Sequence, residues 1–272
     1  MKKILIASLV FLSLNAKTVD KIVAVVNNNP ITSYDIQNLE NQLHINQKQA
    51  LNMLIDKRLI QNEIKKRGIS VDDYEIDDAM RNIAKRNNMS LFEFQNILTQ
   101  KGELQKFKKK LKENLLKQKL FAEIVNAKLK ITPQDIKKYY QTHKEEFAVF
   151  QNIQVVKYSS NNPEILKKLS NNPYFNSPNL NVSTKTYSYN ELPLDKVYLF
   201  KNTKVGQFTP VVNEGLNYVR YFISDKKGKV YLPFDKIQNV IAQQLATQKR
   251  NEILKEYFDR IKNRADIQIY KN

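Results

Sequence analysis

Apolar positions along the chain fall into three regimes. The first is short and β-like. Ile22-Val23-Ala24-Val25-Val26 is a largely β-branched apolar run, and Asn27-Asn28-Asn29-Pro30 breaks it, so a strand followed by a turn is expected. The second regime is helical and runs from Tyr34 to Phe147. Thr32 or Ser33 can cap its first helix. Ala50, Met53, Leu54 and Ile60 then follow one face, Ile64 continues it, and Gly68 ends the helix. Ser70 with Asp73 marks the next start, ahead of Tyr74, Ile76, Ala79, Met80 and Ile83. Ser90 with Glu93 three residues on is a capping-box pattern before Phe94, Ile97 and Leu98, closed by Gly102. Leu104, Phe107, Leu111, Leu115, Leu120 and Ile124 make the longest stripe. Thr132-Pro133 with Asp135 opens another helix, with Pro where its missing N–H costs nothing.

The third regime begins after Phe147. Five of the eight prolines fall between residues 160 and 210, alternation appears at Phe150, Gln154, Val156 and Tyr158, and aromatics cluster at Tyr218, Tyr221 and Phe222. This predicts a small α+β module from Val149 to Asp225. From about Phe234 to Arg264 the helical pattern returns, but its stripe changes sides. Ile237, Val240, Ile241 and Leu245 share one face. Leu254 comes nine residues after Leu245, half a turn away at 100° per residue, with Tyr257, Phe258 and Ile261 beside it. Either the helix breaks near Thr247–Asn251, or its halves pack on different partners. Ile267-Gln268-Ile269-Tyr270 reads as a last strand. The expected fold class is α+β, mostly helical. Segments 17–147 and 227–272 form one helical domain, a small α+β domain of residues 148–226 is inserted into it, and the terminal strands can pair.

Composition narrows the chemistry. With 272 residues, no cysteine and only five glycines, the chain offers no disulfide, thiolate metal site or cysteine nucleophile, and no GxGxxG or GxxxxGK[ST] loop. His44 and His143 are 99 residues apart, which removes a multi-histidine metal site and most histidine acid–base chemistry. No metal or cofactor is expected. Asp72-Asp73 and Asp77-Asp78 read as a solvated helix face or a complement to a helix N-terminus.

Residues 1–16 read as a secretory leader: Lys2 and Lys3, an apolar run from Ile4 to Leu14, then Asn15-Ala16. Cleavage near Ala16 is expected, giving an exported, soluble protein without stable membrane insertion. Without Lys2 and Lys3, 43 basic residues stand against 27 acidic ones, net +16. That balance suits nucleic acid, an anionic membrane or acidic polypeptide, and export argues against nucleic acid. The stretch Lys101 to Lys130 carries ten lysines and three glutamates and reads as a solvated helix face.

Val19-Asp20-Lys21-Ile22-Val23-Ala24-Val25-Val26-Asn27-Asn28, with Ile31-Thr32-Ser33-Tyr34-Asp35-Ile36, resembles the N-terminal signature of the SurA-like periplasmic chaperones. The resemblance implies a helical chaperone core completed by a C-terminal helix and strand, with a parvulin-type peptidyl-prolyl isomerase module between. Glu191-Leu192-Pro193, Gly206-Gln207-Phe208-Thr209-Pro210 and Asn217-Tyr218-Val219 look like landmarks of that module. Its active positions depart from the family pattern. Gln154 and Val219 stand where the resemblance implies histidines. In the implied proline pocket, Lys196 replaces phenylalanine and Thr184 replaces leucine, while Leu192 and Tyr187 fit. Isomerisation must lower a barrier of about 18–20 kcal/mol from amide resonance, through a dry pocket that favours the twisted amide. A lysine there, and a valine that offers no hydrogen bond, imply weak or absent activity.

The expected function is a periplasmic chaperone that binds unfolded outer-membrane proteins without ATP, as a monomer or a strand-swapped dimer. An active prolyl isomerase and a basic surface-adhesive protein are the alternatives.

Overall fold

The computed structural model describes residues 20–169 and 177–270. The expected leader and its cleavage point lie outside the described residues. The described residues divide into two compact units, one running to Leu129 and resuming at Lys249, the other from Lys130 to Gln248.

The first unit opens with a hairpin of β1 (Ile22–Val26) and β2 (Asn29–Thr32). Asn27 and Asn28 form its two-residue turn with φ of 46° and 66°. That pair of left-handed residues is what a tight hairpin matching strand twist requires, and asparagine tolerates it best after glycine. The helices α1 (Ser33–Leu43), α2 (Gln47–Lys66), α3 (Asp73–Arg86), α4 (Leu91–Gln100) and α5 (Leu104–Asn126) follow. Reciprocal capping boxes start the first four, at Thr32/Asp35, Asn46/Gln49, Asp72/Glu75 and Ser90/Glu93, each cap worth about 1 kcal/mol. At α3 the cap is Asp72, not Ser70. Its carboxylate accepts from Glu75 N–H at 2.8 Å and Glu75 answers at 3.2 Å, leaving the Ser70 carbonyl to accept from Lys119.

One core cluster joins β1 and β2 to α1 and α2 through Val23, Ala24, Val26, Ile31, Ile36, Ala50, Leu54, Ile55 and Leu59. A second joins α3, α4 and α5 around Val71, Ile76, Met80 and Leu98. Met53 and Tyr74, expected on buried stripes, instead face solvent, as do Phe92 and Ile97. On α3 the covered stripe is Ile76, Met80 and Ala84, and Tyr74 in the first turn lies off it.

The second unit contains α6 (Pro133–Thr142), capped by Thr132 and Asp135. Next come β3 (Ala148–Val149), β4 (Asn152–Ser160), α7 (Pro163–Lys167), β5 (Asn181–Ser188), α8 (Leu194–Asn202), β6 (Val212–Glu214), β7 (Asn217–Lys227) and β8 (Val230–Tyr231). Four strands form an antiparallel sheet in the order β5-β4-β7-β6, and β3 pairs with β8. Pairing of β4 with β5 is regular from Asn152↔Ser188 to Ser159↔Asn181. Against β7 the register jumps from Gln154↔Asp225 to Val155↔Ile223, so Ser224 is an extra residue on β7 and bulges.

Side-chain alternation separates two faces of this sheet. Ile153, Val155, Val219, Tyr221 and Ile223 pack with Phe200 of α8. Val156, Tyr158, Tyr218 and Phe222 pack with Leu166 of α7, Leu169 and Leu180.

The long helix α9 (Phe234–Arg264) is continuous. The change of stripe is therefore a change of partner. Ile237, Ile241 and Leu245 bury against Tyr139, Phe147 and Leu232 in the second unit. Ile253, Leu254, Tyr257 and Phe258 pack on Leu120 and Ile124 of α5 and on Ile60 and Ile64 of α2 in the first. Val240, expected on the first stripe, is 37% exposed, against 0% for Ile241. After α9, β9 (Ile267–Ile269) pairs with β1 through Ala24↔Ile269 and Val26↔Ile267, so the two terminal strands lie side by side. Among the described residues no helix is long and apolar enough to cross a membrane.

Candidate functional site

The α8-facing side of the four-stranded sheet carries a polar cluster set into apolar walls. Lys157 comes from β4, Tyr221 lies directly across from it on β7, Glu214 ends β6, and Lys196 comes from the first turns of α8. Strand parity places them together, because Lys157 follows Ile153 and Val155 at a period of two, and Tyr221 lies between Val219 and Ile223.

Glu214 is the hub. Its Oε1 lies 2.6 Å from Lys196 Nζ and accepts the Tyr221 hydroxyl at 2.8 Å, while Oε2 accepts from Lys157 Nζ at 2.9 Å. Both lysine ammoniums also lie over the Tyr221 ring, at 5.6 Å and 5.9 Å. Tyr221 is fully buried. Burial pushes the Glu214 carboxyl up, but the hydrogen bonds from Lys196, Lys157 and Tyr221 outweigh it and hold the group at about 2. The same contact raises the Lys157 ammonium. Burial, then the bond to Glu214, raises the Tyr221 hydroxyl. Glu214 is therefore a carboxylate at neutral pH, its oxygens taken by the two ammoniums and the Tyr221 hydroxyl, and it is held too low to act as a base there.

The residues singled out from the sequence divide between the two faces. Val219 (1% exposed), Tyr187 and Leu192 belong to the apolar cluster under α8, and Lys196 lies on α8 itself. Gln154 and Thr184 do not join them. Thr184 is exposed and pairs with Val156, and Gln154 is exposed and pairs with Thr186 and Asp225. Both have the parity of Val156 and Tyr158, hence the opposite face. Val219 pairs with Ser159, five positions along β4 from Gln154, about 16 Å at strand rise. The two positions where the resemblance implies histidines are thus not neighbours. Phe200 fills the helix–sheet core, with 0% exposure.

The sequence reading missed Lys157, Glu214 and Tyr221. One signal was available: Lys157 is the only charged residue within the otherwise inward-reading run Ile153 to Tyr158. The carboxylates of α3 serve as ion-pair partners, Asp77 for Lys108 at 3.1 Å and Asp78 for Arg81. Among the described residues no cluster of His, Asp and Glu is placed to hold a metal ion.

Comparison with known proteins supports the same division of the chain. The SurA N-terminal domain family matches residues 19–121, and the Cj1289-like C-terminal domain family matches residues 133–226. The chaperone SurA of Alkalilimnicola ehrlichii is 30% identical over 146 residues, covering 48% of this chain and 34% of that protein. The foldase protein PrsA of Caldanaerobacter subterraneus is 25% identical over 257 residues, covering 88% of this chain and 77% of that one. The chain spans about a third of the length of the curated SurA relatives it matches. A solved structure from the Campylobacter jejuni pair PEB4 and Cj1289, two structurally related SurA-like chaperones, superposes with a TM-score of 0.66. It is 26% identical and covers 92% of this chain and 99% of its own. With a SurA-type domain at its N-terminus, a Cj1289-type domain after it, and a fold shared with a SurA-like chaperone over nearly its whole length, the chain belongs to the SurA-like chaperone family.

Proposed function

We propose that the mature protein is a periplasmic, ATP-independent chaperone that holds unfolded outer-membrane proteins, and that its sheet domain is a parvulin-like module with weak or absent prolyl isomerase activity. The observation that carries the second clause is the Glu214 cluster. A proline ring needs a dry apolar cavity beside groups that favour the twisted amide. Here two ammoniums and a carboxylate occupy the α8-facing side of the sheet, hydrogen-bonded to one another. Emptying that space for proline would break a partly buried ion-pair cluster.

Family membership supports the holding role, and so do the exposed apolar side chains of the helical domain. Tyr74 and Phe92 are 72% and 71% exposed, and a surface of many weak apolar contacts suits sequence-tolerant binding of unfolded chains. The test is an aggregation-suppression assay beside a prolyl-peptide turnover assay on the same purified mature chain. Suppression without nucleotide and turnover near background are expected. Turnover comparable to that of an active parvulin overturns the reading of the sheet domain. Loss of all client binding at about 0.5 M salt, where the Debye length is only a few ångströms, favours the polyanion-adhesive alternative.

A further inference from the structure

The helical unit contains a concavity of about 530 Å3 between α2 and the last turns of α9, near the β1–β2 turn. Its wall carries Lys66 at the end of α2, Arg67 just after it, and Arg260 and Arg264 from α9, against a single lining carboxylate, Glu63. Arg67 is already committed. It pairs with Glu123, lies 3.5 Å from Glu63, and donates to the Tyr257 hydroxyl at 2.9 Å. Tyr257 in turn donates to Glu63, so that carboxylate is occupied as well. These contacts, with burial opposing them, raise the Arg67 guanidinium further above its ordinary range.

Lys66, Arg260 and Arg264 remain without an ion-pair partner among the described residues. Arg260 only stacks on the Tyr257 ring, at 5.5 Å. Elsewhere in this unit lysines reach carboxylates on other helices, as in Lys57–Glu113, Lys119–Glu75 and Lys262–Asp56. What distinguishes Lys66, Arg260 and Arg264 from other unpaired cations of this unit is their place, because all three line one hollow. A fourth feature points the same way. Asn62 lines the same hollow, and its Nδ2 is buried without a hydrogen-bond partner, although its Oδ1 accepts from Asn29 at 2.8 Å. Buried donors in folded proteins are nearly always satisfied, by an ordered water or ion where protein is lacking.

We propose that this cavity is a binding site for a multivalent oxyanion of the phosphate class, held by Lys66, Arg260 and Arg264. Two guanidinium forks match the planar edges of phosphoryl oxygens, and the ammonium adds a point charge. A hollow many times the roughly 30 Å3 share of a water molecule admits more than one phosphoryl group. Concave walls focus the field of the three cations, which distinguishes this place from the solvated lysine face of α5. Because the ligands come from both α2 and α9, an occupied site fastens the C-terminal helix to the N-terminal domain and stabilises it by mass action.

The test titrates inorganic pyrophosphate into the mature chain at constant ionic strength, set with chloride, and reads affinity by calorimetry and the shift of thermal unfolding. In parallel, vesicles of phosphatidylcholine with and without phosphatidic acid distinguish a lipid head group from a free anion. Arg264→Ser and Lys66→Ser should each weaken binding by about tenfold or more, the loss of one charge-assisted contact. Lys101→Ser, at the end of α4, should leave it unchanged. Saturable pyrophosphate binding abolished by the cavity variants supports a free phosphate ligand. Binding only to phosphatidate vesicles, with the same variant pattern, supports the head group. Equal binding by wild type and both cavity variants, or no binding to either probe, overturns the proposal. All three side chains are solvent-exposed, so the variants keep the fold, which circular dichroism verifies.

Discussion

Glu214 shows how a single partly buried charge can decide what a surface is able to do. Its carboxyl titrates at about 2 in the folded chain, against about 4.3 in an unfolded one. The sign follows from linkage: the stabilisation is complete above the unfolded value and is lost as pH falls from about 5 toward 2. Glu214→Gln should therefore lower stability at neutral pH by about 1.5–3 kcal/mol, the range for hydrogen bonds to charged groups. The gap to wild type should close as unfolding is measured at successively lower pH through that window. A gap that stays constant with pH would mean the carboxylate charge contributes nothing. Of the residues singled out from the sequence, Lys196 is the one that joins this cluster, 2.6 Å from Glu214. Gln154 does not, for reasons of parity and distance. It is five residues along β4 from the partner of Val219, and an odd offset in a strand exchanges faces. Restoring histidines by Gln154→His with Val219→His should accordingly produce no rise in prolyl-peptide turnover, because the two rings lie on opposite faces. Val219→His should also destabilise the domain, since its side chain is 1% exposed among Ile153, Phe200 and Tyr221 and an imidazole there meets no partner. Any turnover gained by the double variant and absent from either single one contradicts the strand assignment.

Secondary elements were far more legible than side-chain placement. Helix starts announce themselves through local chemistry: Thr32, Ser90 and Thr132 each sit three residues before an acidic partner that closes a capping box, and no distant contact is needed to see it. The Asn27-Asn28 turn is local in the same sense. The bulge at Ser224 is not legible because Ser224-Asp225 reads equally as the end of a strand, and only pairing with β4 reveals the extra residue. In α9 the sequence showed a half-turn shift of the apolar stripe without saying whether the helix breaks. The answer depends on tertiary partners, Tyr139 and Phe147 for one half and Leu120 and Ile124 for the other. The same dependence explains Val240, which satisfies the helical period but lies just outside the covered arc. Ile241→Ala should then cost about 2–5 kcal/mol, as for a fully buried aliphatic side chain. Val240→Ala should stay within about 0.5 kcal/mol, as for an exposed one. Denaturant midpoints of the two variants, compared at equal m-value, measure this directly, and equal losses would place both residues in the core.

At the scale of the whole molecule, the chain leaves the helical unit near Leu129 and returns near Gln248, so the unit's last pieces are synthesised after the entire sheet unit. The final strand closes it. β9 lies on the side of β1 away from β2, with Val25↔Gln268 and Val26↔Ile267 in register. Asn27 N–H donates to the Asp266 carbonyl at 2.9 Å, and Asp266 N–H donates to Asn27 Oδ1 at 3.0 Å. Ile267 also packs against the cluster beneath the hairpin. Without β9, β1 becomes an unpaired edge whose residues are Ile22-Val23-Ala24-Val25-Val26, short, apolar and without a charged guard, the kind of edge that recruits another strand. Ending the chain after Ala265 should therefore lower the unfolding midpoint by roughly 5–10 °C, a few kcal/mol for a protein of this size, and should make the protein associate with rising concentration. The full-length chain, whose β9 already occupies that edge, should remain a monomer over the same range. A synthetic peptide of residues 265–272 added to the shortened chain should restore both properties, since an added strand supplies the same main-chain bonds in trans. Light scattering on a concentration series reads association, and thermal unfolding reads stability. A shortened chain that stays monomeric with an unchanged midpoint would show that β1 is held by the hairpin and α2 alone. Association of the full-length chain, lost on removing β9, would instead mean that the strand is exchanged between two copies.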